Sequence, residues 1–188
     1  MTPFVATVSG ILAAGTLALD IALAAFVFLL MTPLSRTRWG SGLAAFVGRR
    51  AILFAFLAAL AGLLGSLFYS NIAGFAPCEL CWWQRIFLYP QVMLLLAALV
   101  RNDAHIRIYA AILSGIGLAV SLYHTFIQFG GPAIVPCSAS GPSCTHLYFL
   151  YYGYVTVPTM SLTIFAAILL ALLAPHPRRP QEPEASIR

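Results

Sequence analysis

The sequence predicts an all-α integral membrane protein, a five-helix bundle. Its 188 residues are 61% hydrophobic and 8% charged, with a mean hydropathy of +0.93, whereas soluble chains average roughly a quarter charged residues. Five apolar spans, at 4–31, 51–69, 82–100, 108–129 and 154–174, each reach or approach the ~20 residues that cross a bilayer core as a helix. Runs such as Ala51–Leu57 are apolar throughout, without the in–out alternation of a membrane barrel strand.

Each element has its own grounds. No Lys or Arg precedes the first span, which exceeds a usual signal-peptide core and is interrupted by Asp20, so it is expected to remain as a helix. An acid at that depth marks a functional site by default; here Asp20 is read as a buried packing or hydrogen-bonding group. The 32–50 connection carries Arg36, Arg38, Arg49 and Arg50 with Gly40, Gly42 and Gly48 among apolar residues, which suits a segment lying along the membrane surface. The 101–107 turn carries Arg101 and Arg107, and the Pro- and Glu-containing tail carries Arg178, Arg179 and Arg188. That tail, 175–188, is expected to be disordered. Connections 70–81 and 130–153 hold no Arg.

The chain has no Lys, and nine of its ten Arg fall on one side of the predicted topology. The positive-inside rule makes that side cytoplasmic, with the N-terminus outside and the C-terminus inside. The net charge of +5 is spread in ones and twos beside the spans, so it speaks for topology and against a nucleic-acid partner. Only Arg85 falls on the outer side.

All four cysteines lie in the two Arg-free outer connections, where paired thiols can hold a redox state. Cys78 and Cys81 form a Cys-x-x-Cys pair after Pro77, a residue suited to opening a helix. Thiols in a first helical turn meet unpaired N–H groups and the positive dipole end, which favour the thiolate. Arg85 follows one turn beyond Cys81, placed to stabilise a thiolate or an anionic ligand. Cys137 and Cys144 enclose a small, polar, flexible segment, and a disulfide there is expected to be exchangeable. The two pairs suggest a thiol–disulfide relay. Loop-stapling disulfides are the competing reading of both pairs, and a four-Cys zinc site is disfavoured by the Cys137–Cys144 spacing, so no metal is expected. No haem, iron–sulfur or dinucleotide motif supplies an exit for electrons. Trp82, Trp83, Phe87 and Tyr89 at the bundle's outer end suit a lipid-soluble quinone. Tyr148–Tyr154 reads as an interfacial aromatic belt, and His146 as a solvated loop residue.

The stretch from Pro77 through Cys78, Cys81, Trp82, Trp83, Gln84 and Arg85 to Pro90 resembles the signature of the DsbB family of membrane thiol–quinone oxidoreductases, in its short-loop, BdbC-like form. Leu122-Tyr123-His124 and Val155–Leu162 add to the resemblance, which covers about 51–174. It implies a four-helix redox core at 51–174, an additional N-terminal helix and cytoplasmic connection at 1–50, and the tail at 175–188. It further implies a bacterial inner-membrane protein that reoxidises a thioredoxin-fold oxidase of the DsbA/BdbD kind, passing electrons to ubiquinone or menaquinone. By the same resemblance Cys137 forms the mixed disulfide with the partner, Cys144 exchanges with Cys78, Cys81 faces the quinone, and Arg85 and His124 contact it. The chain departs from the family in its added first span and short Cys137–Cys144 loop. A reductase running the relay backwards, as in vitamin K epoxide reductases, is the near alternative, although there the loop cysteines precede the Cys-x-x-Cys. A non-enzymatic membrane scaffold is the remaining one.

Overall fold

A computed structural model describes residues 2–134 and 142–175; the expected disordered tail falls almost wholly outside them. Among the described residues the regular elements are helices, joined by turns and loops that include one bridge pairing Tyr151 with Val155. Its elements are α1 (Pro3–Met31), a 3-10 turn (Pro33–Arg36), α2 (Arg38–Arg49), α3 (Ala51–Leu67) running into a π-turn (Phe68–Ile72), α4 (Glu79–Arg101), α5 (Ile106–Gln128) and α6 (Val157–Leu173). Four of these, α1, α3 with its π-turn, α4 and α5, are long and apolar enough to cross a membrane.

The fifth predicted span is shorter than expected, because α6 has 17 residues. Thr156 is extended, and its N–H donates to the Thr159 hydroxyl at 2.7 Å in a capping box, with Pro158 in the first turn. Those signals start the helix at Val157, leaving the apolar residues before it to the Tyr151–Val155 turn. The 32–50 connection is helical over α2, with Gly40, Ala44 and Gly48 turned inward and Trp39, Leu43 and Phe46 exposed.

Helices α3, α4, α5 and α6 pack in a ring, each against its neighbours in sequence and α6 back onto α3. Packing of each helix on its neighbour in sequence makes this an up-and-down bundle, with a short α4–α5 turn and a long connection over 129–156 from α5 to α6. The α4–α5 turn is held by Asn102 in the left-handed conformation and by the His105 N–H donating to Asp103 Oδ1 at 2.8 Å. Ala55 and Ala59 of α3, Leu88, Val92 and Leu95 of α4, Ala110 of α5, and Phe165, Ile168 and Leu172 of α6 form the core. In a bilayer, where apolar burial drives helix association weakly, small residues and buried polar pairs carry the packing. Fully buried Gln91 accepts from Ser114 at 2.8 Å and donates to the Phe87 carbonyl at 2.7 Å. Arg107 of α5 caps the end of α6 by donating to the Leu172 and Ala174 carbonyls.

Gly117 marks the closest approach of α5 to α6, since an added Cβ would overlap the buried Phe165 ring. Gly117→Val is expected to destabilise the bundle by about 1–3 kcal/mol through overpacking. Gly115→Val, whose Cβ would enter open space, is the control; thermal unfolding in detergent reads both.

Outside the ring, α1 packs chiefly on α6. Asp20 of α1 accepts hydrogen bonds from Thr163 Oγ1 at 2.7 Å and Tyr154 Oη at 2.9 Å. An intramembrane carboxylate thus serves as the polar latch between the added helix and the ring.

Candidate redox site

The site forms where α3 ends and α4 begins. The π-turn directs the Ala73 N–H to the Phe68 carbonyl at 2.9 Å, and the Phe75 N–H to the Tyr69 carbonyl, also at 2.9 Å. Gly74 (φ +71°) reverses the chain in a conformation that a β-carbon would strain. Phe75-Ala76-Pro77 then delivers Cys78 as the N-cap of α4, with Cys81 in its first turn. The expected helix start is therefore present, two positions later than a Pro77 opening would place it, so that Cys78 caps the helix and only Cys81 lies within its first turn.

The two sulfurs are thiols 3.1 Å apart. Cys78 is buried and Cys81 half-buried. The Cys78 pKa is lowered to about 4, principally by the hydrogen bond from the Cys81 thiol and then by His124, against the opposing effect of burial. His124, 2% exposed, comes from α5, and its Nε2 lies 3.6 Å from Cys78 Sγ and 3.1 Å from the Cys144 carbonyl oxygen. Because that carbonyl only accepts, Nε2 carries a hydrogen. In the neutral ring Nδ1 is then the acceptor, paired with Gln84 Nε2 at 3.3 Å. The Cys144 carbonyl thus sets the tautomer, Gln84 holds the opposite ring nitrogen, and the Nε2–H lies between that carbonyl and the Cys78 sulfur.

Cys144 is disulfide-bonded, buried, and packed in one cluster with Cys78 and Ile127. Cys137, its expected partner, lies outside the described residues. The described residues after Cys144 are tied to the bundle at several points. Gln128 donates to the His146 carbonyl at 3.3 Å and accepts from Thr156 at 2.7 Å. Tyr148 donates to the Ala76 carbonyl at 2.9 Å and stacks on Phe75 with ring centroids 4.2 Å apart. Part of the run read as an aromatic belt therefore turns inward: Tyr148 and Phe149 pack on Phe75 and Tyr69, while Tyr152 is exposed. The exposed His146 sits edge-on to Tyr148 at 4.6 Å.

Arg85 reaches across to α3. Its Nε donates to Ser66 Oγ at 3.0 Å and its Nη2 to the Ser66 carbonyl at 3.4 Å, with the guanidinium 5.1 Å from the Trp82 ring centroid. Tyr89 donates to the same Ser66 hydroxyl at 3.1 Å. These bonds hold a charge at the bundle's edge that would otherwise be costly.

Cys78, Cys81, Arg85 and His124 all border one cavity of about 460 Å³, within the ~300–1,000 Å³ of small-molecule sites. The structure thus brings together five of the six residues singled out from sequence. Gln84 and Ser66 were not among them. Gln84 had a local signal, a polar side chain one turn past Cys81 in an apolar span; Ser66 had none. The Cys78, Cys81 and His124 ligand atoms lie within 4.8 Å of one another, a set that a soft ion such as zinc could also use.

Comparison with known proteins places this geometry. The family described as disulfide bond formation protein DsbB matches residues 48–175. The SPbeta prophage-derived disulfide bond formation protein B of Bacillus subtilis (strain 168) is 42% identical over 116 residues, covering 62% of this chain and 78% of its own length. Disulfide bond formation protein C of the same organism is 39% identical over 114 residues, 60% of this chain and 82% of its own. The probable disulfide formation protein C of Halalkalibacterium halodurans is 38% identical over 125 residues, 65% of this chain and 90% of its own. No solved structure matches.

Proposed function

Since the chain belongs to the DsbB family and is a multi-pass membrane oxidoreductase of disulfide bond formation, we propose that it reoxidises an extracytoplasmic thioredoxin-fold dithiol and delivers the electrons to a membrane quinone. One observation carries this reading. The Cys78–Cys81 dithiol and the buried, disulfide-bonded Cys144 border one cavity of about 460 Å³, with Cys78 and Cys144 packed in one cluster.

The relay balances as thiol–disulfide exchange. A partner thiolate attacks Cys137 of the Cys137–Cys144 disulfide and frees the Cys144 thiolate. Cys144 attacks Cys78 of the Cys78–Cys81 disulfide and frees Cys81. The partner's second thiolate displaces Cys137, which then attacks Cys144, remaking Cys137–Cys144 and releasing Cys78. The partner leaves as a disulfide, and its two electrons reside in the Cys78–Cys81 dithiol. A quinone, when bound, accepts two electrons and two protons as the Cys78–Cys81 disulfide re-forms. The cavity fits that acceptor, with largely apolar walls and Arg85 and His124 as polar groups at its cysteine end. His124 Nε2–H stabilises the Cys78 thiolate, and Arg85 sets a positive charge beside Cys81.

This assignment places the cysteine end of the bundle outside a bacterial inner membrane and the Arg-bearing turns inside, as the positive-inside rule requires. The test is absorbance of ubiquinone or menaquinone mixed with purified protein and a reduced thioredoxin-fold oxidase. Catalytic loss of quinone absorbance is expected. No turnover with either quinone, in folded protein bearing both disulfides, would leave the loop-staple reading standing.

A further inference from the structure

The family match begins at residue 48, yet the cavity does not stop at the matched helices. Ile11, Leu12, Gly15, Thr16 and Leu19 of α1 line it, facing Ala61, Gly65 and Ser66 of α3. Helix α1 packs on α6 and stands away from α3. It is held by discrete contacts: the Asp20 latch, the Tyr151 hydroxyl donating to the Ala6 carbonyl at 3.2 Å, and Phe4 edge-on to Phe68. Between those contacts the cavity opens as a cleft. A Cβ added at either Gly15 or Gly65 would meet no atom within 4 Å. The α1 flank beside it is outward-facing, with Ile11 67% exposed.

Taking the quinone reading as its premise, we infer that the α1–α3 cleft is the channel for the acceptor's isoprenoid tail, and that α1 is a specificity wall added to the family's redox core. The redox end of the cavity, at Cys81, Arg85 and His124, is the polar end, so a ring that takes electrons belongs there. An apolar tail too long for the cavity must leave toward lipid. The unpacked side between α1 and α3 offers that exit, with Gly15 and Gly65 setting its width. None of the α1 residues touches the reacting sulfurs, so α1 selects the acceptor by its tail and leaves the chemistry to α4 and α5.

The experiment reads binding without turnover. Cys81→Ser, Trp39→Phe protein in lipid nanodiscs is titrated with a tail-less quinone and with a long-chain quinone, following quenching of Trp82 and Trp83. Gly15→Phe, which plugs the cleft, is expected to weaken long-chain binding by at least ~10-fold, as an introduced clash does. Tail-less binding should stay within about twofold. Gly10→Phe is the control, since Gly10 also faces open space but lies outside the cavity lining; it should change neither. Equal long-chain binding by Gly15→Phe and wild type would overturn the channel. Loss of both ligands in a variant that melts like wild type would also overturn it, because Gly15 would then lie against the ring. Failure of the unplugged protein to bind either quinone would instead count against the quinone reading itself.

Discussion

Partner-driven quinone reduction by the purified protein is expected to fall to background, a loss on the order of 10³-fold or more, when Cys81 becomes Ser. Serine preserves the size and hydrogen-bonding capacity of the side chain, and α4 already begins at Glu79 around Cys78, so the fold should persist and melt within a few degrees of wild type. What disappears is the second sulfur. Without it the Cys78–Cys81 disulfide cannot form, so no pair of electrons can pass from this site to the acceptor. The Cys78 thiolate should instead attack Cys144 of the Cys137–Cys144 disulfide and free the Cys137 thiol, so that a Cys78–Cys144 disulfide accumulates, visible by mass spectrometry of alkylated peptides, because Cys78 and Cys144 share one buried cluster. The loop-staple reading expects the opposite: a lower melting temperature, with whatever quinone chemistry the wild type shows left unchanged. Full turnover by Cys81→Ser would remove Cys81 from the electron path.

The bundle was legible in the sequence because run length and the shortage of charge decide a membrane helix almost by themselves. The start of α6 is harder to read, because Tyr154 and Val155 continue the apolar run backwards and only the Thr156–Thr159 capping box sets the boundary at Val157. Within the site, short-range spacing placed Cys78, Cys81 and Arg85 at one helix mouth. The approach of His124, 46 residues from Cys78 in sequence, was suggested only by resemblance, since a lone histidine in a span has several uses. Gln84 and Ser66 act through geometry: one holds His124 Nδ1 and the other seats the Arg85 guanidinium, and only Gln84, a polar residue in an apolar span, had a local signal. The sequence marks Asp20 as a hydrogen-bonding group, but its partners Tyr154 and Thr163 lie 134 and 143 residues away, a pairing that no local pattern encodes. The aromatic run after His146 suits the membrane interface by composition, because Tyr is common there. Stacking on Phe75 and Tyr69 turns Tyr148 and Phe149 toward the cavity instead.

Reduced protein is expected to show an alkylation rate at Cys78 that stays nearly flat from pH 8 to pH 5 and falls only as pH approaches about 4. The Cys81 thiol donates to the Cys78 thiolate and His124 adds a second donor; together these outweigh burial and lower the pKa from 9.0 to about 4. An ordinary thiol at pH 5.5 is ionised about one part in 10³, whereas Cys78 is almost wholly thiolate; the weaker nucleophilicity of a low-pKa sulfur returns roughly two of those decades. The net advantage over an equally accessible ordinary thiol is on the order of tenfold. For linkage the sign is that of a depressed acid. Stabilisation of the folded dithiol form is fully present above the unfolded thiol pKa and disappears as pH falls through about 4. The disulfide form has no thiolate to gain from this, so near neutral pH the effect makes Cys78–Cys81 easier to reduce and a stronger oxidant toward Cys144. Removing the causes should raise the midpoint in order of their size: Cys81→Ala more than His124→Ala, with Cys81→Ser retaining a donor and moving it less than Cys81→Ala. A wild-type midpoint near that of an ordinary thiol, or a His124→Ala profile superimposable on wild type, would remove the imidazole from thiolate stabilisation and leave His124 only its hydrogen bonds with Gln84 and the Cys144 carbonyl.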